Sequence, residues 1–298
     1  MALNRRQVRA TVPDEAVRGV AADGRILVLA ASTRALCESA RRRHDLWPTA
    51  AAAVGRTLTA AALLALPLDP GGSITISIRG DGPLGGVVAT ADPRGHVRGY
   101  AHHPHTDLPP RPDGKLDVGG AVGRRGLVRV ARDLGRGQAY TGSAPLVSGE
   151  IAEDVTSYLW RSEQVPSLVA LGVLVGSGGR VRAAGGLLLQ LLPDAPPEAA
   201  ERLEANVARM AALTSALDQE RTPEEIASVV VGDYGLRLTS RQALSFHCGC
   251  SRVRLLRALR GLPASERAEL RAQPDGVEVT CRFCARRYRF PGEDLPPP

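Results

Sequence analysis

Four of the chain's five cysteines stand in two close pairs, Cys248-Gly249-Cys250 and Cys281-Arg282-Phe283-Cys284. Two short thiol pairs separated by a helix- or hairpin-length insert have the layout of a tetrahedral zinc site. Each loop supplies two ligands, and the insert brings the loops together. The C-x-x-C half has ordinary zinc-knuckle spacing. The C-x-C half makes a tighter, more strained chelate, which suits a site built to be taken apart. The sequence thus nominates Cys248, Cys250, Cys281 and Cys284 as ligands of one Zn2+. The fifth cysteine, Cys37, reads as a small core hydrophobe in a helix.

The segment around the quartet, 239–298, holds all three phenylalanines, Phe246, Phe283 and Phe290. Short helices are expected at 253–259 and 264–270, and a hairpin at 276–290. With so few large apolar groups it needs a staple. Structural zinc contributes ~10–16 kcal/mol in finger peptides, so metal and fold here stand or fall together.

Upstream, a buried strand is expected at 24–31, a helix at 33–44 and an Ala/Leu-rich helix from Pro48 to Leu66, its buried face set by Val54, Leu58, Ala61, Ala62 and Leu63. Residues 73–79 alternate strictly, as a half-buried strand does, and further strands are expected at 86–90, 97–102, 127–131 and 138–141. Residues 149–160 read as a helix N-capped by Ser148. Strands at 167–175 and 181–192 are joined by a glycine-rich turn. The run His102-His103-x-His105 reads as a solvated loop rather than a metal site. Residues 1–193 are therefore expected to form one α+β domain, an antiparallel β-sheet with helices packed to one side. Pro193 to Pro197 marks a boundary, and 194–238 reads as a helical linker. Its stripe Leu203, Val207, Met210, Leu213 and Leu217 needs a covering surface, taken to be the main sheet. Thr222-Pro223-Glu224-Glu225 has the form of a capping box.

Net charge is +7, uneven along the chain: +7 over 1–193, −5 over 194–240 and +5 over 241–298. An acidic middle could dock on either basic end. No 20-residue apolar run indicates a membrane span, and Met1 to Arg9 lacks the apolar core of a signal peptide. A cytoplasmic setting follows, where clustered thiols mean metal or redox chemistry. No phosphate loop, G-x-S-x-G or H-E-x-x-H is present, so no enzyme class is indicated.

Taken together the motifs resemble the heat-shock protein 33 family of redox-regulated holdase chaperones. The residues that carry the resemblance are Phe246-His247-Cys248-Gly249-Cys250-Ser251 and Val279-Thr280-Cys281-Arg282-Phe283-Cys284, followed by Tyr288 and Phe290. Upstream, Gly80-Asp81-Gly82-Pro83, Gly149 to Asp154, Arg161 to Pro166 and Ala184-Gly185-Gly186 match in order. Arg282 departs from the pattern, standing where many relatives carry an acid. The resemblance implies an ATP-independent chaperone, inactive when reduced and zinc-bound. On oxidation it implies disulfides Cys248–Cys250 and Cys281–Cys284, loss of zinc, unfolding of module and linker, and exposure of apolar surface to unfolding client proteins during oxidative stress. It also implies a homodimer in the oxidised state; no nucleic-acid or membrane partner is expected from the residues themselves. Arg252, Arg254, Arg282, Arg286 and Arg287 are expected to favour thiolates.

Two other classes compete. A zinc-ribbon nucleic-acid binder would suit the basic module, but the arginines of 252–260 do not share one face and lack interleaved aromatics. A thiol–disulfide oxidoreductase using Cys281 and Cys284 would need a strand-to-helix turn, whereas the flanks read as a hairpin.

Overall fold

The computed structural model describes residues 12–135, 137–209 and 213–297. Met1 to Arg9 and Met210, part of the expected linker stripe, lie outside them. In chain order the first half contains β1 (Glu15–Ala21), β2 (Ile26–Ser32), α1 (Arg34–His44), α2 (Pro48–Ala65), β3 (Ser73–Arg79), β4 (Val87–Ala91), β5 (His96–Ala101), α3 (Val118–Val122), β6 (Leu127–Asp133) and β7 (Ala139–Pro145). Then come α4 (Ile151–Glu163), β8 (Ser167–Val175), β9 (Val181–Leu191), α5 (Ala199–Arg209), α6 (Leu213–Asp218) and α7 (Pro223–Val231). The chain closes with β10 (Arg237–Ala243), β11 (Ser245–Phe246), α8 (Arg252–Leu259), α9 (Ala264–Arg271), β12 (Val277–Thr280) and β13 (Arg287–Phe290).

The α+β class is as expected, but the strands form two large sheets rather than one. The first runs β10-β1-β2-β9-β8 and the second β11-β5-β4-β3-β6-β7, with β12 and β13 pairing separately as a hairpin. All pairings are antiparallel except the short β11–β5 contact.

Helix α2 lies between the two large sheets, and this explains its composition. The sequence predicts one buried face, yet from Thr49 to Ala65 every residue except Arg56 is buried. A run of alanines keeps the helix thin enough to be covered from both sides. Ile74, Ile76, Ile78, Val128 and Val130 meet it from one sheet, and Leu29, Ala31 and Leu188 share the same core from the other. At Gly55 a Cβ would stand 2.8 Å from a Val173 methyl and 3.1 Å from Cys37 Sγ, so only glycine fits there. Its buried hydroxyls are all satisfied: Thr57 and Thr59 donate to carbonyls one turn back, Thr59 meets Thr33 at 2.8 Å, and Thr49 donates to Asp107 Oδ1 at 2.6 Å.

The outer face of the first sheet is covered by the linker helices, as its stripe requires. Leu203 of α5 and Ala227, Val230 and Val231 of α7 bury against Val17, Ile26, Val28, Leu187 and Leu189. Ala216 and Leu217 of α6 bury with Ile226 and Ala183. The capping box forms as the sequence predicts, Thr222 Oγ1 accepting from Glu225 N–H at 3.2 Å and Glu225 Oε2 from Thr222 N–H at 2.8 Å. Ser148 is not the N-cap of α4; Glu150 holds that position, and Ser148 Oγ accepts from the Glu150 N–H at 3.2 Å. The Gly149 to Asp154 signature anchors this helix: buried Asp154 accepts from Val147 N–H at 2.7 Å, and Glu150 pairs with Arg56. In the Gly80 to Pro83 turn a Cβ on Gly80 would fall 2.2 Å from Val122 O, which accounts for that glycine.

Candidate metal centre

Strand β10 returns from the linker to the edge of the first sheet, pairing with β1. The chain then crosses to the second sheet. Ser245 N–H donates to Gly95 O at 2.9 Å and His247 N–H to Val97 O at 3.0 Å, which fixes the approach of Cys248. After Cys250, Ser251 caps α8, its side chain accepting from Arg254 N–H. The second thiol loop caps the β12–β13 hairpin. There Cys281 N–H donates to Arg286 O at 2.9 Å and Ala285 N–H to Cys281 O at 2.8 Å, with Ala285 at φ 56° closing the turn.

These two loops bring Cys248, Cys250, Cys281 and Cys284 together, their Sγ atoms all within 4.8 Å of one another. Cys248 Sγ lies 3.8 Å from Cys281 Sγ, and Cys250 Sγ lies 3.4 Å from Cys284 Sγ. Tetrahedral zinc with Zn–S of about 2.3 Å sets its sulfurs about 3.8 Å apart, so the quartet fits such an ion. Four thiol donors suit a soft or borderline cation and could hold a metal ion. The histidine run joins no such group among the described residues. His103 Nδ1 lies 2.7 Å from Pro83 O, and His105 pairs with Asp45 at 2.9 Å.

The thiols are not equivalent. Burial pushes Cys284 up to about 12 and raises Cys248 as well. Burial also works against the Cys250 thiolate, but hydrogen bonds from Tyr288 and the neighbouring sulfurs outweigh it and bring Cys250 down to about 7. The Tyr288 hydroxyl stands 3.2 Å from Cys250 Sγ. Of the five arginines expected to favour thiolates, Arg286 carries a charge that couples to Cys250 and Cys284. Arg252 instead pairs with Asp294, Arg254 donates to Gly249 O at 2.8 Å, Arg287 lies 3.6 Å from Glu278, and Arg282 acts on His102. Cys37 is buried in the α2 core, and burial pushes its thiol up to about 12, which suits the core role read from the sequence.

Little else holds the module together. Helices α8 and α9 bury no residue, and among the described residues from Ser245 onward the buried apolar side chains are Cys284, Phe290, Leu295 and Pro296. It is docked on the core through aromatic contacts the sequence did not reveal. Phe283, between the second pair of thiols, meets Tyr100 edge-on at 5.3 Å, with Arg98 over its ring at 5.0 Å. Its carbonyl lies 3.2 Å from His44 Nε2. Arg43 covers the Phe246 ring at 5.0 Å, and His96 stacks on His247 at 4.2 Å. An aromatic residue between two cysteines of the quartet is the sequence signal for this contact.

A two-sheet α+β core, helices laid over one sheet, and a four-thiol module define a protein whose smallest part is closed by sulfur. The family model described as Hsp33 protein matches residues 14–291. A "33 kDa chaperonin" of Symbiobacterium thermophilum is 50% identical over 283 residues, covering 95% of this chain and 96% of that protein. The Thermus thermophilus protein of that name is 45% identical over 290 residues, covering 94% and 84%. The crystal structure of the Thermotoga maritima 33 kDa chaperonin superposes with a TM-score of 0.87 at 36% identity, over 95% of this chain and 96% of that one. The chain belongs to the Hsp33 family, and membership supports a chaperone role. None of its described helices is long and apolar enough to cross a membrane.

Proposed function

We propose that this protein is a redox-regulated, ATP-independent holdase, acting in the cytoplasm on unfolding proteins. The observation that carries the reading is the contrast between four converging thiols and the almost coreless module they close. The domain division follows: core 1–193, linker 194–238, redox module 239–298, with β10 tying the module to the core edge.

In the reduced state Cys248, Cys250, Cys281 and Cys284 are the metal ligands. The four sulfurs would hold zinc as thiolates, and the ion would tie the two loops together. With hydrogen peroxide, one thiolate attacks a peroxide oxygen and breaks the O–O bond; the departing hydroxide takes a proton from solvent, giving a sulfenic acid and water. A second thiolate attacks the sulfenic sulfur and forms the disulfide, and the displaced hydroxide is protonated by solvent to water. Two thiols are oxidised for each peroxide reduced. We assign the disulfides to Cys248–Cys250 and Cys281–Cys284, each within one loop. A disulfide sulfur is a poor metal donor, so both pairs lose the ion and its share of the folding free energy. That share exceeds what Phe290, Leu295, Pro296 and Cys284 supply by burial, and the module unfolds.

Unfolding then passes along the chain. Strand β11 leaves the second sheet and β10 loses its C-terminal tether. Arg241 of β10 is paired with Glu224 of α7, so β10 is also the handle on the linker. When α5 and α7 lift, Val17, Ile26, Val28, Leu187 and Leu189 become an apolar surface that holds clients. Two such surfaces can also pair, which accounts for a dimer in the oxidised state. The reading assigns no catalytic residue and no nucleic-acid or membrane partner. Light scattering of a denaturing client tests it: the peroxide-treated protein should suppress aggregation and the reduced zinc form should not. Equal suppression by both would remove the switch.

A further inference from the structure

A polar cavity of about 370 Å³ lies between core and module. Its core walls come from the Gly71–Ser73 turn and the β4–β5 hairpin with Asp92, Arg94, His96 and Arg98; its module walls come from His247, Gly249 and Arg254. Three guanidinium groups therefore face one carboxylate. Arg94 is paired with Asp92 at 2.8 Å. Arg98 and Arg254 have no carboxylate partner among the described residues. Arg98 Nε is buried with no hydrogen-bond partner, a donor that normally finds an acceptor. Arg254 donates to Gly249 O and Arg98 lies over the Phe283 ring, but neither charge is neutralised by a carboxylate, and guanidinium groups without a counter-charge in a polar recess match the oxygens of a phosphate-type dianion.

We propose that this cavity binds a small phosphate-type oxyanion, and that the bound anion holds the module docked. The second half follows from the walls: the site exists only while core and module are together, so occupancy shifts the equilibrium toward the docked form by mass action. At ten times Kd the undocked fraction falls about elevenfold. Such an anion would delay the response proposed above, so the regulatory half rests on that reading while binding does not.

The test is calorimetric titration of the reduced, zinc-loaded full chain with inorganic phosphate, at ionic strength held constant with chloride. One saturable site is expected, weakened at least tenfold by Arg98→Gln and by Arg254→Gln and unchanged by Arg237→Gln on β10. Arg254 is exposed, so its variant tests the site even if Arg98→Gln disturbs docking. A parallel titration with glycerol phosphate decides between free phosphate and a phosphomonoester, either of which supports the site. Loss of free thiols under peroxide should slow about elevenfold at ten times Kd. Absence of saturable binding in the millimolar range, binding unaffected by both variants, or displacement of phosphate by single-stranded DNA at far lower concentration would overturn the site. Binding without slower thiol loss would overturn the docking role alone. If phosphate binds but oxidised protein fails to protect a client, the chaperone reading fails and the anion site stands.

Discussion

The ring of Phe283 meets the ring of Tyr100 edge-on at 5.3 Å, and this contact joins the metal loop to the second sheet. Phe283 sits between Cys281 and Cys284, so a change in either sulfur moves the ring that docks the module. The edge-on pair contributes ~0.5–1.5 kcal/mol and the Arg98 cation–π contact ~0.5–1 kcal/mol. Phe283→Ala should therefore shift docking about tenfold toward the undocked form. The check is the time to half-maximal client protection under peroxide, expected to shorten by a similar factor with zinc content unchanged at the start. An unchanged time course would show that this ring does not couple module to core.

Removal of the metal by a strong chelator under reducing conditions should unfold the module and spare the core. The buried side chains of α2 and its flanking sheets do not depend on the thiols. Circular dichroism should lose the helical signal of α8 and α9 while the main thermal transition persists. A single transition that moves as a whole would contradict the separate stapling of the module.

In the interval after the metal is withdrawn and before the module unfolds, the thiols should differ in reactivity to a short alkylation pulse. Near pH 7.5 Cys250, brought down to about 7, should alkylate first, Cys284 slowly, and Cys37 only after unfolding. The signs for stability are opposite. Cys250 has a depressed folded pKa, so its contribution is present above the ordinary thiol range and is lost as pH falls through about 7. Cys284 has a raised one, so its contribution is present below that range and is lost as pH rises through about 12. Site-resolved alkylation by mass spectrometry reads the order. Tyr288→Phe, which removes the hydroxyl at 3.2 Å, should raise Cys250 and slow it.

Uncoupling the linker should bypass the thiols. Val230 is fully buried against the first sheet, and Val230→Asp places a charge among apolar side chains. The variant should suppress client aggregation while still reduced. Leu203→Ala, costing ~2–5 kcal/mol if the site does not collapse, should lower the peroxide needed. Reduced Val230→Asp protein that leaves the client to aggregate would place the client surface elsewhere.

Legibility in the sequence followed locality. Residues 73–79 alternate strictly, and β3 (Ser73–Arg79) lies where that pattern puts it. Thr222 caps α7 because a capping box is complete within four residues. Strand β1 went unseen because Arg18 and Gly19 interrupt its alternation, and its register breaks at that point. Strand β10 is mostly exposed, so it carries no apolar pattern and reads as part of the module. The split into two sheets depends on which distant strands pair, and local periodicity does not encode that. The thiol quartet was legible from spacing alone. Tyr288 on Cys250, Phe283 on Tyr100 and the His44 contact were not, since each joins residues that only the fold makes neighbours.

The central claim is that sulfur oxidation in the module uncovers the first sheet. Hydrogen exchange over α5, α7 and β10, compared between the reduced zinc form and the peroxide-treated form, measures it directly. The account predicts strong protection of all three elements before treatment and its loss afterwards, with α2 protected throughout. Protection of α5, α7 and β10 that survives complete conversion of the four thiols to disulfides would contradict it.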